Sequence, residues 1–500
     1  MAHVDCAHEA HRDIRSRACS SALLLPAVAS LLIACGGGAE STASSPPGST
    51  GDTNPPAAPT ALAAAADGPF AVNLSWQPST DGDVAGYRVE RCQGAGCSTF
   101  AQVAAPSGTS HTDVGLASAT SYSYRVRAID AAANLSVPSN VANVITDPEP
   151  VPPPGNLPAW VNALATGQWL SIPNTAMSSI APSPTPSGNT GPQSKVIAWT
   201  SFVVDTRTSK VYSLANGGHS DYAGNEVDVL DLEVAQPAWS QILAPTPNAQ
   251  LTNCQPYYAD DRPAARHSYY GVTLNEINDR FMLFGGVDWC VNGGFFTAIS
   301  SYNIGANSWS ASTTHGSLPG GFAGVAAYSV DPATGDVYGF HNFNYGRWNR
   351  STSGNSFTTL NPTGNGPAGN GAMSAMDTAR GRILIVGSGS DHHLYTKSSN
   401  SFTSITLTGP NAADVSGGSG NAMVYVPAID RYLVRRDGAG GTVYQIHPST
   451  FDVTTFATTD GASIPSTQNG PYNKFLYVPR LRGCVYVPSY SGNAWFLRVH

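Results

Sequence analysis

One pattern constrains residues 157–500 more than any other: a hairpin of two short apolar strands around a tight polar turn comes back six times. Val203-Val204-Asp205 leads into Lys210-Val211-Tyr212, Thr273-Leu274 into Arg280-Phe281-Met282, and Val330-Asp331 into Asp336-Val337-Tyr338. Further on, Met376-Asp377 leads into Arg382-Ile383-Leu384, Val426-Pro427 into Arg431-Tyr432-Leu433, and Val478-Pro479 into Gly483-Cys484-Val485-Tyr486. From the second hairpin onward the interval is about 46–56 residues, enough for one four-stranded unit per repeat. Helical periodicity is absent, so the chain reads as all-β.

A second spacing lies inside the first. Tyr302 and Trp309, Tyr395 and Phe402, and Tyr444 and Phe451 are each separated by six residues, and Leu232 with Trp239 and Arg350 with Phe357 keep the interval. With Gly217-Gly218 and Phe284-Gly285-Gly286 closing second strands, the segment resembles kelch repeats and the central propeller of galactose oxidase. The resemblance implies a kelch-like β-propeller over residues 157–500 with six blades. The sixth ends with a strand at Ala494–Val499, and its outer strand is expected from the start of the domain, around Gly167–Ile172. Such an exchange would leave no open sheet edge. Seven blades, with a degenerate one hidden in Met177–Lys195, is the alternative.

Two other regions precede the repeats. Arg12, Arg15 and Arg17 come before an apolar run, Ala22–Ala34, that is short for a membrane span and suits a signal peptide over residues 1–34. Leu32-Ile33-Ala34-Cys35 followed by three glycines resembles the bacterial lipoprotein cleavage box, which implies lipidation at Cys35 and an outer-membrane lipoprotein on the cell surface or periplasmic face. Residues 35–58 read as a flexible tether and residues 148–156 as a Pro-rich linker. Between them, residues 59–147 alternate as strands near Val72–Trp76, Gly86–Arg91, Tyr122–Asp130 and Ala142–Thr146. Pro59, Trp76 and Tyr122-Ser-Tyr-Arg-Val-Arg-Ala resemble a fibronectin type III domain, with Trp76, Tyr122 and Tyr124 as sandwich core. Export makes disulfides expected: Cys92 with Cys97 in one hairpin, and Cys254 with Cys290 in two long loops. Cys484 is expected as a buried thiol.

Charge narrows the function. The net charge is −8 and only 12% of residues are charged, which argues against a general nucleic-acid binder. No cysteine spacing suggests zinc, no nucleophile elbow or phosphate loop is present, and no cofactor is expected. The Tyr-His dipeptide that galactose oxidase uses on copper does not occur, so the oxidase activity is not carried over.

In a four-stranded blade, the loop between the second and third strands shares an edge with the crossover to the next blade. Sorting by this rule brings His219, His267, His315, His341, His392 and His393 to one face. Asp221, Tyr222, Arg266, Asp288, Trp289, Tyr345, Arg347, Asp391, Arg436, Asp437 and Tyr490 join them. Cys254 and Cys290 lie in the longest loops there, where a disulfide would either preorganise a site or only stop fraying. Trp348 is expected between blades. A metal held by His219, His267 and His392 is a question that spacing leaves open.

Two functions fit this face. The first is binding of an extracellular polymer, a polysaccharide or a surface protein, by a monomer held to the membrane only through its lipid. Asp221, Trp289, His341, Tyr345, His392, Arg436 and Tyr490 would make the contacts. The second is a polysaccharide lyase, in which Arg266 neutralises a uronate while His219, His267, Tyr222 or Tyr269 moves protons.

Overall fold

The computed structural model describes residues 52–146 and 157–500, except 68–70, 95–96, 115, 117–119, 277–278, 291–293, 320–321, 323–325, 343, 349–356, 370 and 417–419. The expected signal peptide, the expected lipidation site Cys35, most of the expected tether and the Pro-rich stretch 148–156 lie outside the described residues. None of the described helices is long and apolar enough to cross a membrane.

Residues 57–146 form a seven-stranded sandwich. One sheet joins Thr60–Ala66, Ala71–Gln77 and Ser110–Val114; the other joins Ala101–Ala104, Val84–Gln93, Ser121–Asp130 and Ala142–Ile145. Alternation along Ser121–Asp130 sends Tyr122, Tyr124, Val126 and Ala128 into the core, where they meet Leu74, Trp76 and Val89. Trp76 packs edge-on against Tyr87 at 5.5 Å, and the Tyr124 hydroxyl donates to Asp113 at 2.9 Å. Cys92 and Cys97 are joined by a disulfide.

Among the described residues, the remaining chain builds six four-stranded antiparallel sheets. Sheet I contains Phe202–Asp205, Lys210–Leu214, Val227–Asp231 and Trp239–Leu243. Sheet II contains Val272–Asn275, Arg280–Phe284, Ile299–Asn303 and Ser308–Trp309. Sheets III, IV and V begin at Ala327–Val330, Met373–Asp377 and Ala422–Val426. Sheet VI joins Phe475–Val478, Gly483–Tyr486 and Trp495–Arg498 to Trp169–Ser171, more than 300 residues away in sequence. The first strand of each sheet packs beside that of the next, and Phe475–Val478 packs beside Phe202–Asp205. Residues 177–195 contain a 3-10 turn, Met177–Ile180, and the start of a short helix, Ser194–Ile197, rather than the extra strands of a seventh unit.

Local chemistry accounts for the repetition. Each first hairpin turns through a left-handed residue at or near its end: Ser209, Asp279, Gly335, Gly381, Asp430 or Arg482. That conformation closes a short turn before the second strand begins. The wider spacing also has a cause, because Tyr302 faces Trp309, and Tyr395 faces Phe402, across the third and fourth strands. Both tyrosine hydroxyls donate to a turn asparagine, Asn307 and Asn400 respectively. Tyr444 breaks the rule: it faces Thr455, and Phe451 instead occupies the left-handed turn. Cys484 is buried and unpaired.

Candidate functional site

Three backbone segments run side by side where sheets I and II meet. Arg266–His267 pairs antiparallel with Val287–Asp288. On its other side, the Arg266 amide donates to the Ala215 carbonyl at 2.8 Å and the Gly217 amide donates to the Arg266 carbonyl at 3.1 Å. Gly218 makes this approach feasible. Its φ is +84°, and a Cβ there would lie 2.4 Å from both the His267 amide nitrogen and the Val287 carbonyl oxygen. His219 follows, also left-handed, with its amide donating to the Asp288 carbonyl at 3.1 Å and its carbonyl accepting from Cys290 at 3.0 Å. The Cys254–Cys290 disulfide ties the long loop before Arg262 onto this strip, and the Cys254 amide donates to the Trp289 carbonyl at 3.0 Å.

The alternation of a strand sends adjacent side chains to opposite faces. Arg266, 1% exposed, turns to Asp288, with Nε 3.2 Å from a carboxylate oxygen, and donates to the Gly285 carbonyl at 3.1 Å. Burial drives the Asp288 carboxyl up to about 7, against the opposing pull of Arg266. His267 turns the other way. Its Nε2 donates to Asp221 Oδ2 at 2.9 Å, and Asp221 Oδ1 accepts from the Thr190 hydroxyl at 3.0 Å. The hydrogen bond from His267 holds the Asp221 carboxyl below its usual range despite partial burial. Burial lowers the His267 imidazole, and Asp221 opposes this incompletely.

His267 is the common neighbour of an aromatic patch. The exposed His219 ring stacks on it at 5.9 Å with 17° between planes. Trp199, 37% exposed, lies 5.1 Å from it, and Tyr269 meets it edge-on at 6.2 Å. The Tyr269 amide donates to the Trp199 carbonyl at 2.8 Å, and burial raises the Tyr269 hydroxyl to about 12. The enclosed Lys474 amine donates to the carbonyls of Gly470 at 3.1 Å and of Ala198, the residue before Trp199, at 3.4 Å. Burial pulls the Lys474 amine down to about 7.

The structure therefore divides the sequence candidates. His219, His267, Tyr269 and Asp221 come together, and Trp289 lies half-buried beside His219 in a backbone bridge. Two candidates must be corrected. Arg266 is enclosed and committed to Asp288, so it is not poised to neutralise a substrate carboxylate. Tyr222 is wholly buried, and its hydroxyl donates to Glu226 at 2.7 Å; burial raises it far above the range of a catalytic base.

Glu226 belongs to a separate buried cluster in which Lys195 Nζ lies 3.0 Å from Glu226 and 2.8 Å from Asp228. Tyr490 joins that cluster, with Lys195 Nζ 5.9 Å from its ring centre. His392, expected to bind ligand, is 3% exposed and shares a hydrogen bond with Ser416 at 3.2 Å. Arg436 is exposed in the loop after the strand Arg431–Arg435 and pairs with Asp414 at 3.4 Å. His341 ends the second strand of sheet III, and Tyr345 pairs there with Phe340; the Tyr345 side chain lies outside the described part. His219, His267 and His392 do not bring ligand atoms within 4.8 Å of one another.

Sequence reasoning missed Trp199 and Lys474. Trp199 stands in Ile197-Ala-Trp-Thr200, immediately before the first strand of sheet I, where a crossover would enter from a preceding unit. That position was the available signal.

Comparison with known proteins places a fibronectin type III domain at residues 57–144. Exoglucanase B of Cellulomonas fimi is 36% identical over 26% of this chain and 12% of its own length. Chitinase A1 of Niallia circulans is 37% identical over 27% of this chain and 20% of its own. The chain thus spans no more than a fifth of either curated relative. Among solved structures, an Fn3-like protein from Clostridium thermocellum is 27% identical, covering 19% of this chain and 99% of its own, with a TM-score of 0.17. A β-1,2-glucanase from Parabacteroides distasonis is 27% identical over 21% of this chain and 14% of its own, with a TM-score of 0.18. The protein is all-β and carries a fibronectin type III domain.

Proposed function

We propose that this is an exported, lipid-anchored carbohydrate-binding protein whose six sheets are the blades of a kelch-like propeller, and that the patch around His267 binds an extracellular polysaccharide. Support for the architecture comes from the successive packing of first strands and from the exchange of Trp169–Ser171 into sheet VI. Support for anchoring is the segment ending at Cys35. The partners matched through the fibronectin region are named as an exoglucanase, chitinases and an α-amylase, which is in keeping with a role on polysaccharides.

The observation that carries the binding reading is the exposed Trp199 face beside His267, Tyr269 and His219. An indole presents an electron-rich face that suits the C–H side of a sugar ring, while imidazole nitrogens suit hydroxyls. The lyase alternative keeps the Asp221–His267 pair but loses its arginine to Asp288. Affinity electrophoresis of the purified protein in gels cast with a polysaccharide panel tests the proposal. Retardation by at least one polymer, removed by Trp199→Ala, is expected; clearing of polymer around the band would instead favour an enzyme. Full migration in every gel would end the carbohydrate reading.

A further inference from the structure

The charges around the patch say which class of sugar it accepts. We infer that it takes an uncharged pyranose polymer and excludes one bearing carboxylate or sulfate groups; this rests on the binding reading above. The basic side chains described near the patch are already engaged. Arg266 faces Asp288 and the carbonyl of Gly285. Lys195 is shared by Glu226 and Asp228, two carboxylates for one ammonium. Lys474 is completely enclosed and directs its hydrogens to the carbonyls of Gly470 and Ala198. None of the three presents an N–H to a ligand.

At the rim the fixed charge is negative. Asp221 is the partly exposed carboxylate there, and the donors it receives, the Thr190 hydroxyl and the His267 ring, are both uncharged when His267 is neutral. A uronate or sulfate laid across Trp199 and His219 would bring a second negative charge toward Asp221. Among the described residues near the patch, it would find no unengaged ammonium or guanidinium to offset the loss of its water. A hydroxyl-bearing ring has no such penalty. It can stack on the indole and exchange hydrogen bonds with the exposed His219 imidazole.

The test is affinity electrophoresis of the purified full chain at about pH 8, above the ordinary imidazole range. One set of gels holds mixed-linkage glucan, galactomannan or glycol chitin; the other holds polygalacturonate, alginate or chondroitin sulfate. Retardation confined to the uncharged set, and unchanged between low and high salt, is expected. Equal or stronger retardation by an acidic polymer would overturn the inference while leaving the binding reading intact. No retardation in any gel would sink both. Asp221→Asn supplies a readout that misfolding does not mimic, because it asks for a gain. The variant is expected to be retarded by an acidic polymer that the parent ignores, and no gain would overturn the charge argument.

Discussion

The Asp221 carboxylate, in the loop after the second strand of sheet I, accepts a hydrogen bond from His267 Nε2 at 2.9 Å, joining that loop to a short strand 46 residues away in sequence. This pair places a charge at the rim and fixes which face of the His267 ring His219 and Trp199 can meet. Both of its pKa shifts act in the same direction on stability.

A group with a folded-state pKa below its unfolded value contributes stability above the unfolded pKa and loses it as pH falls through the folded one. Both His267 and Asp221 are lowered. Thermal midpoints are therefore expected to fall in two stages: first below about pH 6.5 as His267 is forced to protonate, then below about pH 4 as Asp221 does. Melting curves of His267→Gln should show a smaller first stage, the remainder belonging to His315, His392 and His500, which burial also lowers. A variant curve parallel to the parent's would show that His267 does not contribute it.

Arg266 and His219 are neighbours in the strip with opposite roles. Arg266→Ala leaves Asp288 buried without its counter-ion and is expected to cost about 3–5 kcal/mol. His219→Ala, at an exposed ring, should stay within about 0.5 kcal/mol of the parent. Urea denaturation gives both values, and polymer retardation should weaken in the stable His219→Ala protein. An Arg266→Ala protein as stable as the parent would refute its assignment to the Asp288 ion pair.

Lys195 offers a second stability test, in the enclosed cluster with Glu226 and Asp228. Lys195→Met strands Glu226 and Asp228 at 1% exposure or less and is expected to lose about 3–5 kcal/mol. Adding Glu226→Gln and Asp228→Asn should restore part of that loss, because the repelling charges are gone. If the triple variant is less stable than Lys195→Met, packing rather than charge governs the cluster.

The two disulfides should be separable. Replacing Cys254 and Cys290 by serine opens a bridge of sequence separation 36 and is expected to cost about 2–4 kcal/mol. It should also weaken polymer retardation, since Cys290 donates to the His219 carbonyl and Asp288 accepts from its amide. Replacing Cys92 and Cys97 should leave retardation unchanged. Equal retardation by both variants would show that the Cys254–Cys290 bridge only restrains the loops.

Much of the architecture was legible because it is written in local chemistry. Short apolar strands, a left-handed turn residue such as Asp430 or Gly381, and paired aromatics such as Tyr395 and Phe402 act within a few residues of one another. Even the long-range return of Trp169–Ser171 followed from a local shortage, a sixth unit with three strands. The six-residue spacing misled at Tyr444, where Phe451 took the turn, and at Trp239 and Phe357, which face Leu230 and Trp348 rather than Leu232 and Arg350.

The site was different. Hairpin order in the sequence led to the expectation that His219, His267 and Asp221 share a loop face, and the three side chains do lie together. The sequence left undecided which side chains on that face meet solvent. Arg266 and His267 are adjacent, yet one turns to an enclosed Asp288 and the other to the rim at Asp221. Tyr222 lies one residue from Asp221 and is wholly buried on Glu226. Trp199 joins the patch from a crossover with no motif of its own. Those outcomes belong to the tertiary structure, because burial and ion pairing depend on partners tens of residues away.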